Sequence, residues 1–600
     1  MAGLAASLSL RGEPTARIVS RMLAAAPHRG SSERTVTRGV CSIGITDGGI
    51  TDGGITDDAA PEASLHSEDG LAVAFVGRLD NTAELAAECG LPATDTSPAG
   101  VVAAMFRRIG NRAPARLRGV YSVAVTDGST LWGFRDHVGF ETLFCGHGAG
   151  EVRMASEAKQ VAAGTAAPRE PDLEMLKRIF YVNVEDHTRT SLGGVRRVLA
   201  GTIAMSSGDG IRWRRYWDPS GLLETARLSQ DEIAEGFEEH MARAAARALV
   251  GQDAVSLSGG IDSPAIAAFA APAHLELTGH PLAALSSIYP DHPDSDESDY
   301  IREVASLLGL PLHTYVPEPQ TLDRLHEWVR LFDGPWSIWS PFGAEERLGL
   351  ASGLGFRTVL TGNLAEQVMS MQQFVVSHLV WDGELPAVAR YVRRERAEQV
   401  PWRRIARQVA PAFVPRWAMA AYVRYHPALR TPDWLDRWRV GEARGRNALA
   451  GRKMWAASQL GVFQNGSSLT LEADAINQAR YGVRVRMPWA DVDLWEFFIS
   501  LPAQVKFPEP QSKSLVRRLL RGRVPDRILD RRDKTVLNEW LTSTSIDYRS
   551  LRRWLLKPSH RMPGVNYERL ADRLEREDLD LDSFVWAKDL AAIHAFLDLW

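Results

Sequence analysis

Lysine is nearly missing from this chain. Among 600 residues with 70 lysines and arginines together, lysine occupies only positions 159, 177, 453, 506, 513, 534, 557 and 588. A lysine inside a motif therefore gains interest, because arginine does not release its proton for acid–base work. Cysteine is scarcer: Cys41, Cys89 and Cys145. Their wide spacing excludes a zinc-binding pattern, and an odd count suits a reducing compartment better than a disulfide framework. No stretch of about 18 apolar residues is present, so no membrane span is read. The start, MAGLAASLSLRGEP, has no basic region ahead of its short apolar stretch and reads as a poor secretory signal. A cytoplasmic location is expected, with no membrane partner. The net charge of −4 offers no basic field for nucleic acid. Nowhere does Gly-Lys-Ser or Gly-Lys-Thr occur, which excludes a Walker A phosphate loop.

What remains is an ordinary globular composition, 45% hydrophobic and 24% charged, in a chain too long for one core. Residues 1–217 read mostly as strands: RTVTRGVCSIGI, LAVAFVGRLD, GVYSVAVTDGSTLWGFRD and GTIAMSSGDGIRWRRYW alternate or run apolar between Asp-Gly and Ser-Gly turns. Within them GITDGGITDGGITDD (44–58) repeats a five-residue unit too short to stack a core, and is read as a loop. YWDPSGLLETARLSQ (216–230) reads as a linker, with Ser229 capping the next helix. The pattern then changes. Helix 231–249, strand 253–257, helix 264–271, strand 283–289, helix 297–308, strand 311–315, helix 321–332 and strand 357–361 follow in turn. Such alternation implies a parallel sheet with crossover helices. From 362 on the chain reads as helical and is rich in Trp and Arg.

One stretch stands out. In AVSLSGGIDSPAIAAFA (254–270) two glycines separate a strand from a helix. Glycine weakens both neighbours, so close approach to the backbone must matter there. The amides of a helix start, with the helix dipole behind them, form an anion cradle. Ser263 is expected to cap that helix and Pro264 to sit in its first turn.

Ser258-Gly259-Gly260-Ile261-Asp262-Ser263 resembles the pyrophosphate loop of the ATP-pyrophosphatase superfamily, whose members adenylate an oxygen of their substrate. Further segments resemble its asparagine synthetase-like branch in order: DESDYIREVASLLGLPLHTY (296–315), FDGP (332–335), TVLTGNLAEQ (358–367), VRVRMPWADVDLWEFFISLP (483–502) and KSLVRRLLRGRVPDRILDRRDK (513–534). In the amino-terminal part, VGRLDN and GFRDHVGFETLFC resemble the glutamine amidotransferase half of the same enzymes.

The resemblance implies an Ntn-hydrolase-like αββα sandwich over 1–217. It implies an α/β ATPase domain of the pyrophosphate-loop type over 218–600, with a parallel sheet and a helical carboxyl-terminal region. ATP and Mg²⁺ are the implied cofactors. Leu257, Ser258, Gly259, Gly260, Asp262, Ser263, Ser287, Ile288, Gly362 and Lys513 then belong to the nucleotide site. Asp262 and Glu366 match metal ligands, the latter although Asn363 and the missing second glycine depart from the family's loop. Lys534 matches the lysine that stabilises the adenylate and the later oxyanion. Glu472 lies near the place of a glutamate that takes the amine's proton.

The amidotransferase half of that family uses a first-residue thiol, whereas this sequence reads Met1-Ala2-Gly3, and Cys41 lies in a strand. No glutaminase activity is expected. Two kinds of relative that lost the thiol close rings with an amine of the same molecule: lasso-peptide cyclases and β-lactam synthetases. The first is the main expectation, tilted by the Arg- and Trp-rich stretch 370–460, which reads either as a peptide groove or as amphipathic helices with a solvated Arg face. Its partners would be a precursor peptide, a leader-binding protein and a leader protease. Asparagine synthetase proper and a non-catalytic peptide scaffold are the remaining readings.

Overall fold

The fold was derived from a computed structural model. It describes all residues except 48–62, 69, 93–95, 166–169, 182–185, 209, 319–321, 336–343, 370–374, 411–412, 416, 419–420, 422–430, 441–467, 510, 532–546 and 600. Lys534 and most of the GITDG repeat lie outside the described residues; Gly44–Thr46 of the repeat end a strand, Cys41–Thr46, and are not loop.

The amino-terminal half stacks two six-stranded antiparallel sheets. Strand alternation decides what lies between them. Leu4, Ala6, Leu8, Cys41, Ile43 and Ile45 of one sheet meet Ala72, Ala74, Val76, Ala124 and Leu131 of the other. The intervening positions face outward to helices. Ala5 packs against Val19, Met22 and Leu23 of the helix Ala16–Ala24. Val73, Phe75, Val123 and Val125 pack against Val101, Val102 and Met105 of the helix Pro98–Ile109. The result is the expected helix–sheet–sheet–helix sandwich.

Beyond it lies a five-stranded parallel sheet. Its order is Leu312–Tyr315, Ala283–Ser287, Asp253–Ser256, Thr358–Leu360, Arg484–Arg486. Helices cover both faces, so the strands alternate between two apolar layers. Val255, Ala284 and Leu360 join one layer; Ala254, Leu285 and Val359 join the other.

Three expectations need correction. The last strand, Arg484–Arg486, was read as part of a helical region, because one valine between two arginines leaves no periodicity to detect. The helix expected over 264–271 runs from Asp262 through Pro272 to Thr278 and stops at Gly279, which is left-handed with φ 73°. Its first half, Ser263–Ala270, is buried and anchors the helix, while the half that carries Pro272 runs out toward solvent, with Leu275 and Leu277 exposed. Residues 216–230 are docked rather than free: the amides of Glu224 and Ala226 donate to the carbonyls of Ile499 (3.1 Å) and Ser500 (2.9 Å). Ser229 does cap the next helix, Gln230–Ala248, in a box with Glu232.

The two halves share a core. Phe180 meets Trp586 edge-on at 5.3 Å, and the carboxyl-terminal helix Leu581–Leu597 packs in the same cluster as Ala5 and Val19. Inside that apolar helix, burial pushes the Lys588 ammonium down to about 7. The unfolded chain holds this proton up to the ordinary lysine range, so stability is lowest below about pH 7 and recovers as pH rises toward 10. Lys588→Met is therefore expected to raise Tm at pH 7 and to lose most of that gain at pH 10. Thermal melts of both proteins at the two pH values check it, and an equal gain at both would sink the explanation.

Candidate active site

The chain leaves the strand Asp253–Ser256 toward one neighbour, Ala283–Ser287, and later returns to the other, Thr358–Leu360. Such a reversal opens a crevice at the carboxyl ends of the strands. The loops 257–263 and 361–366 flank it. They touch because residue 362 is glycine: a Cβ on Gly362 would lie 2.7 Å from the Ser263 nitrogen and 2.9 Å from the Asp262 Cβ. Gly259 is equally constrained, with Glu297 Cβ 2.8 Å from where its own would be. Gly260 meets only the Ser258 hydroxyl, at 3.5 Å, and is the open side of the loop.

Side chains from distant segments fix the loop. The Ser263 hydroxyl accepts from the Ser258 amide (2.9 Å) and contacts the Ser258 hydroxyl (3.0 Å). It therefore closes the loop instead of capping the helix, which opens at Asp262 after Ile261. The Gly259 amide donates to Glu297 Oε2 (3.0 Å), while Arg531 donates to the Gly259 carbonyl (2.9 Å) and to Glu297 Oε1 (2.7 Å). The same guanidinium lies 4.3 Å above the Tyr300 ring. Fully buried Trp489 donates its indole N–H to the Asp262 carbonyl (2.9 Å), bracing the first helical turn from behind. Leu257 is held in register by the Leu285 carbonyl (2.9 Å) and the Ser286 hydroxyl (2.7 Å). Ser287 ends the adjacent strand, and the Ile288 amide donates to the Tyr315 carbonyl (2.9 Å).

The charges converge. Lys513 Nζ lies 2.6 and 2.5 Å from the two carboxylate oxygens of Asp262. Lys513 has a left-handed backbone, φ 58°, just before the helix Ser514–Leu519. That conformation costs a non-glycine residue about 1–2 kcal/mol, and such strain concentrates at functional positions. Leu364 in the facing loop and Asp333 in FDGP share it, with φ 68° and 56°. Burial pushes the Arg517 guanidinium down, and the negative charge of Asp262 partly restores it. A helix N-terminus, the carboxylates of Asp262 and Glu297 and the cations Lys513, Arg517 and Arg531 thus gather around the loop 257–263. A hard oxygen ligand beside several cations fits magnesium-bound polyphosphate. The Lys513 ammonium is the present counter-ion of the carboxylate.

Not every expected residue meets there. Glu366 is exposed, on the short helix Ala365–Met369 that ends the facing loop. Glu472 is buried in a cleft between the two halves, where Arg197 Nε lies 2.5 Å from its Oε1; no contact with the loop is found among the described residues. Glu297, Trp489, Arg517 and Arg531 were missed as individual residues, although each lies in a segment the resemblance covers. Only their convergence on Gly259 and Asp262 reveals them.

The seam between the halves is charged. Arg484 and Arg486, one residue apart on the edge strand, both reach the sandwich: Arg484 pairs with Glu141, and Arg486 lies 3.1 Å from Asp80. The Lys159 amide donates to Asp333 (2.8 Å), and its ammonium donates to the Leu331 carbonyl (2.6 Å). Burial would push Lys159 down, but Asp333 and Glu157 outweigh it and hold it up. The sandwich therefore grips the FDGP element. Burial pushes the Cys41 and Cys145 thiols up to about 12 and raises Cys89.

Two family models divide the chain as the fold does. A family model described as asparagine synthase matches residues 236–600, and one described as a glutamine amidotransferase domain matches 1–217. Asparagine synthetase [glutamine-hydrolyzing] 3 of Bacillus subtilis is 24% identical over 504 residues, which is 79% of this chain and 76% of that protein. Among solved structures, glutamine phosphoribosylpyrophosphate amidotransferase from B. subtilis, complexed with ADP and GMP, aligns at 14% identity and TM-score 0.26. It covers 53% of this chain and 82% of that one. The allosteric regulatory enzyme of purine biosynthesis aligns at 14% identity and TM-score 0.27, covering 53% and 81%.

Proposed function

From the premise that this chain belongs to the asparagine synthase family, and is thus an ATP-dependent amide-bond-forming ligase, we propose that it closes a macrolactam ring in a peptide, as a lasso-peptide cyclase. The observation that carries the reading is the state of the thiols. Glutamine hydrolysis of the kind named for its B. subtilis relative needs an accessible, activated nucleophile, whereas Cys41 and Cys145 are fully buried in strands and Cys89 is half-buried at the end of a helix. The reading then takes the attacking amine from the substrate itself.

The proposed reaction runs in two displacements. An oxygen of an Asp or Glu side chain of the peptide bonds to the α-phosphorus of ATP, and pyrophosphate leaves. The peptide's N-terminal amine then bonds to the activated carbonyl, loses a proton and expels AMP. ATP supplies the leaving group that a carboxylate lacks. Asp262 and Glu366 are assigned to hold Mg²⁺, and Lys513 with Arg517 faces the phosphates. Lys534 is assigned to the oxyanion; Glu472, which the resemblance offers for the amine's proton, is held by Arg197 in the separate cleft between the halves and is given no step. The loop 257–263, Ser287, Ile288 and Gly362 form the nucleotide crevice.

Substrate size favours a peptide over the small molecule of a β-lactam synthetase. Trp402 (61% exposed), Phe413 (72%) and Trp417 (74%) stand on the surface of the helical region, near Arg403, Arg404 and Arg407. Exposed aromatic and basic side chains of this kind offer stacking and cation–π contacts to an extended chain. A leader-binding protein and a leader protease would supply the trimmed precursor.

The test is to search the neighbouring genes for a short precursor peptide and to incubate its leaderless form with the enzyme, ATP and Mg²⁺. The expected products are a peptide lighter by one water, AMP and pyrophosphate, with no glutamate formed from added glutamine. Ring closure of a small amino acid instead would favour the β-lactam reading. Glutamine-dependent conversion of aspartate to asparagine would overturn ring closure altogether.

A further inference from the structure

Far in sequence from the nucleotide loop, three side chains meet where the docked connector crosses the helical region. His378 lies on the helix Val375–Trp381, and Asp382 follows one turn later, its amide donating to the His378 carbonyl (3.0 Å). Glu224 comes from the connector, where its backbone is left-handed, φ 56°. His378 Nε2 lies 3.0 Å from Glu224 Oε1 and 3.0 Å from Asp382 Oδ2. One ligand atom from each residue falls within 4.8 Å of the others.

A single imidazole nitrogen carries either one hydrogen or one lone pair. Here it faces two carboxylate oxygens at equal distance. One N–H shared between them leaves two anions close together around at most one positive charge. A divalent cation would answer all three groups at once. Zinc bound at about 2.0–2.2 Å to nitrogen and oxygen holds its ligand atoms roughly 3.4 Å apart in a tetrahedron; here the imidazole nitrogen lies 3.0 Å from each carboxylate oxygen, and the two oxygens lie within 4.8 Å of each other.

The surroundings suit ligation. The His378 side chain is 1% exposed and that of Glu224 14%, while Asp382 at 39% leaves one side open to solvent. The Ala503 amide donates to Glu224 Oε1 (2.9 Å) and so orients that carboxylate, as outer partners of metal ligands commonly do. The Glu224 amide itself is tied to the Ile499 carbonyl (3.1 Å), which fixes the backbone as well.

We propose that Glu224, His378 and Asp382 form a zinc site, with water as fourth ligand, that clamps the connector between the two halves to the helix 375–381. One imidazole with two carboxylates selects a borderline metal such as Zn²⁺ over Mg²⁺, which prefers oxygen ligands and keeps its water. The site is separate from the magnesium assigned to Asp262, and it stands whatever reaction the crevice performs.

The test uses the full chain stripped with EDTA. Titration with ZnCl₂, followed by calorimetry and by metal analysis after desalting, is expected to give one equivalent per chain and a rise in Tm. Equal MgCl₂ should give neither. Asp382→Asn sits at the half-exposed ligand, so its Tm in chelator should match the parent, while its zinc affinity falls at least about tenfold, the lower end for loss of even an outer partner. His378→Gln should lose the Tm rise entirely. Absence of stoichiometric zinc, or zinc binding unaltered by Asp382→Asn, would overturn the site and leave an ordinary histidine bridging two acids.

Discussion

Asp262→Asn is expected to lower turnover by at least about 10²–10³, the usual cost of removing one electrostatic contact from a charged reacting group. The substitution is nearly isosteric, so the loop keeps its shape. Trp489 still braces the Asp262 backbone carbonyl, and Gly362 still meets Ser263. What disappears is the only charge through which this position could hold Mg²⁺. Lys513 then loses its carboxylate while its side chain is 9% exposed. An ammonium left without its partner at such a place is destabilising; Asp262 is itself 23% exposed, so water softens the effect to a Tm fall of a few degrees. Pyrophosphate release measured at saturating ATP reads the first effect, and a thermal melt reads the second. If Asp262 served only as an acid at a helix start, it would contribute about 0.3–1 kcal/mol of stability and nothing to turnover. Near-parental pyrophosphate release by the asparagine variant would establish that lesser role.

The parts of this crevice that sequence made legible are those written in contiguous residues. The strand 253–256, its two glycines and the helix after them sit within one stretch, and the alternation of apolar layers follows the same short range. Ser229 and Glu232 announce a helix start because a capping box spans only four residues. The remainder depends on chain folding back on itself. Glu297 and Arg531 are 234 residues apart and meet only because both must reach Gly259. Gly362 looks like a loop glycine until its neighbour is seen to be the backbone at Ser263. Ser263 misled for a related reason. A serine at the mouth of a helix is ordinarily a cap, but here the helix opens at Asp262, so Ser263 lies inside its first turn and its hydroxyl accepts from the Ser258 amide of the loop instead. The edge strand 484–486 failed on length, and the connector failed on composition. Pro219 and Gly221 suggest freedom, yet Asp218 caps a short 3₁₀ turn there, and the amides that follow pair with Ile499 and Ser500.

Lys513→Met should likewise lower turnover by about 10²–10³, by removing a point charge from the phosphate side of the crevice. Lys513→Arg should recover little of it. The guanidinium is broad and planar, whereas the ammonium here touches both oxygens of one carboxylate at 2.5 and 2.6 Å from a backbone already held in the left-handed region. The informative protein is the double variant, Asp262→Asn with Lys513→Met. If the pair mattered only for folding, each single variant would be unstable through the charge left behind, and removing both charges would restore stability and activity together. If the two charges act on magnesium-bound triphosphate, the double variant should regain the parental Tm and remain as inactive as Asp262→Asn alone. The two outcomes separate because stability responds to the balance between Asp262 and Lys513, while chemistry needs each charge for a different part of the same substrate. Tm and pyrophosphate release measured on all four proteins complete the cycle, and recovery of turnover in the double variant would remove both residues from the reaction.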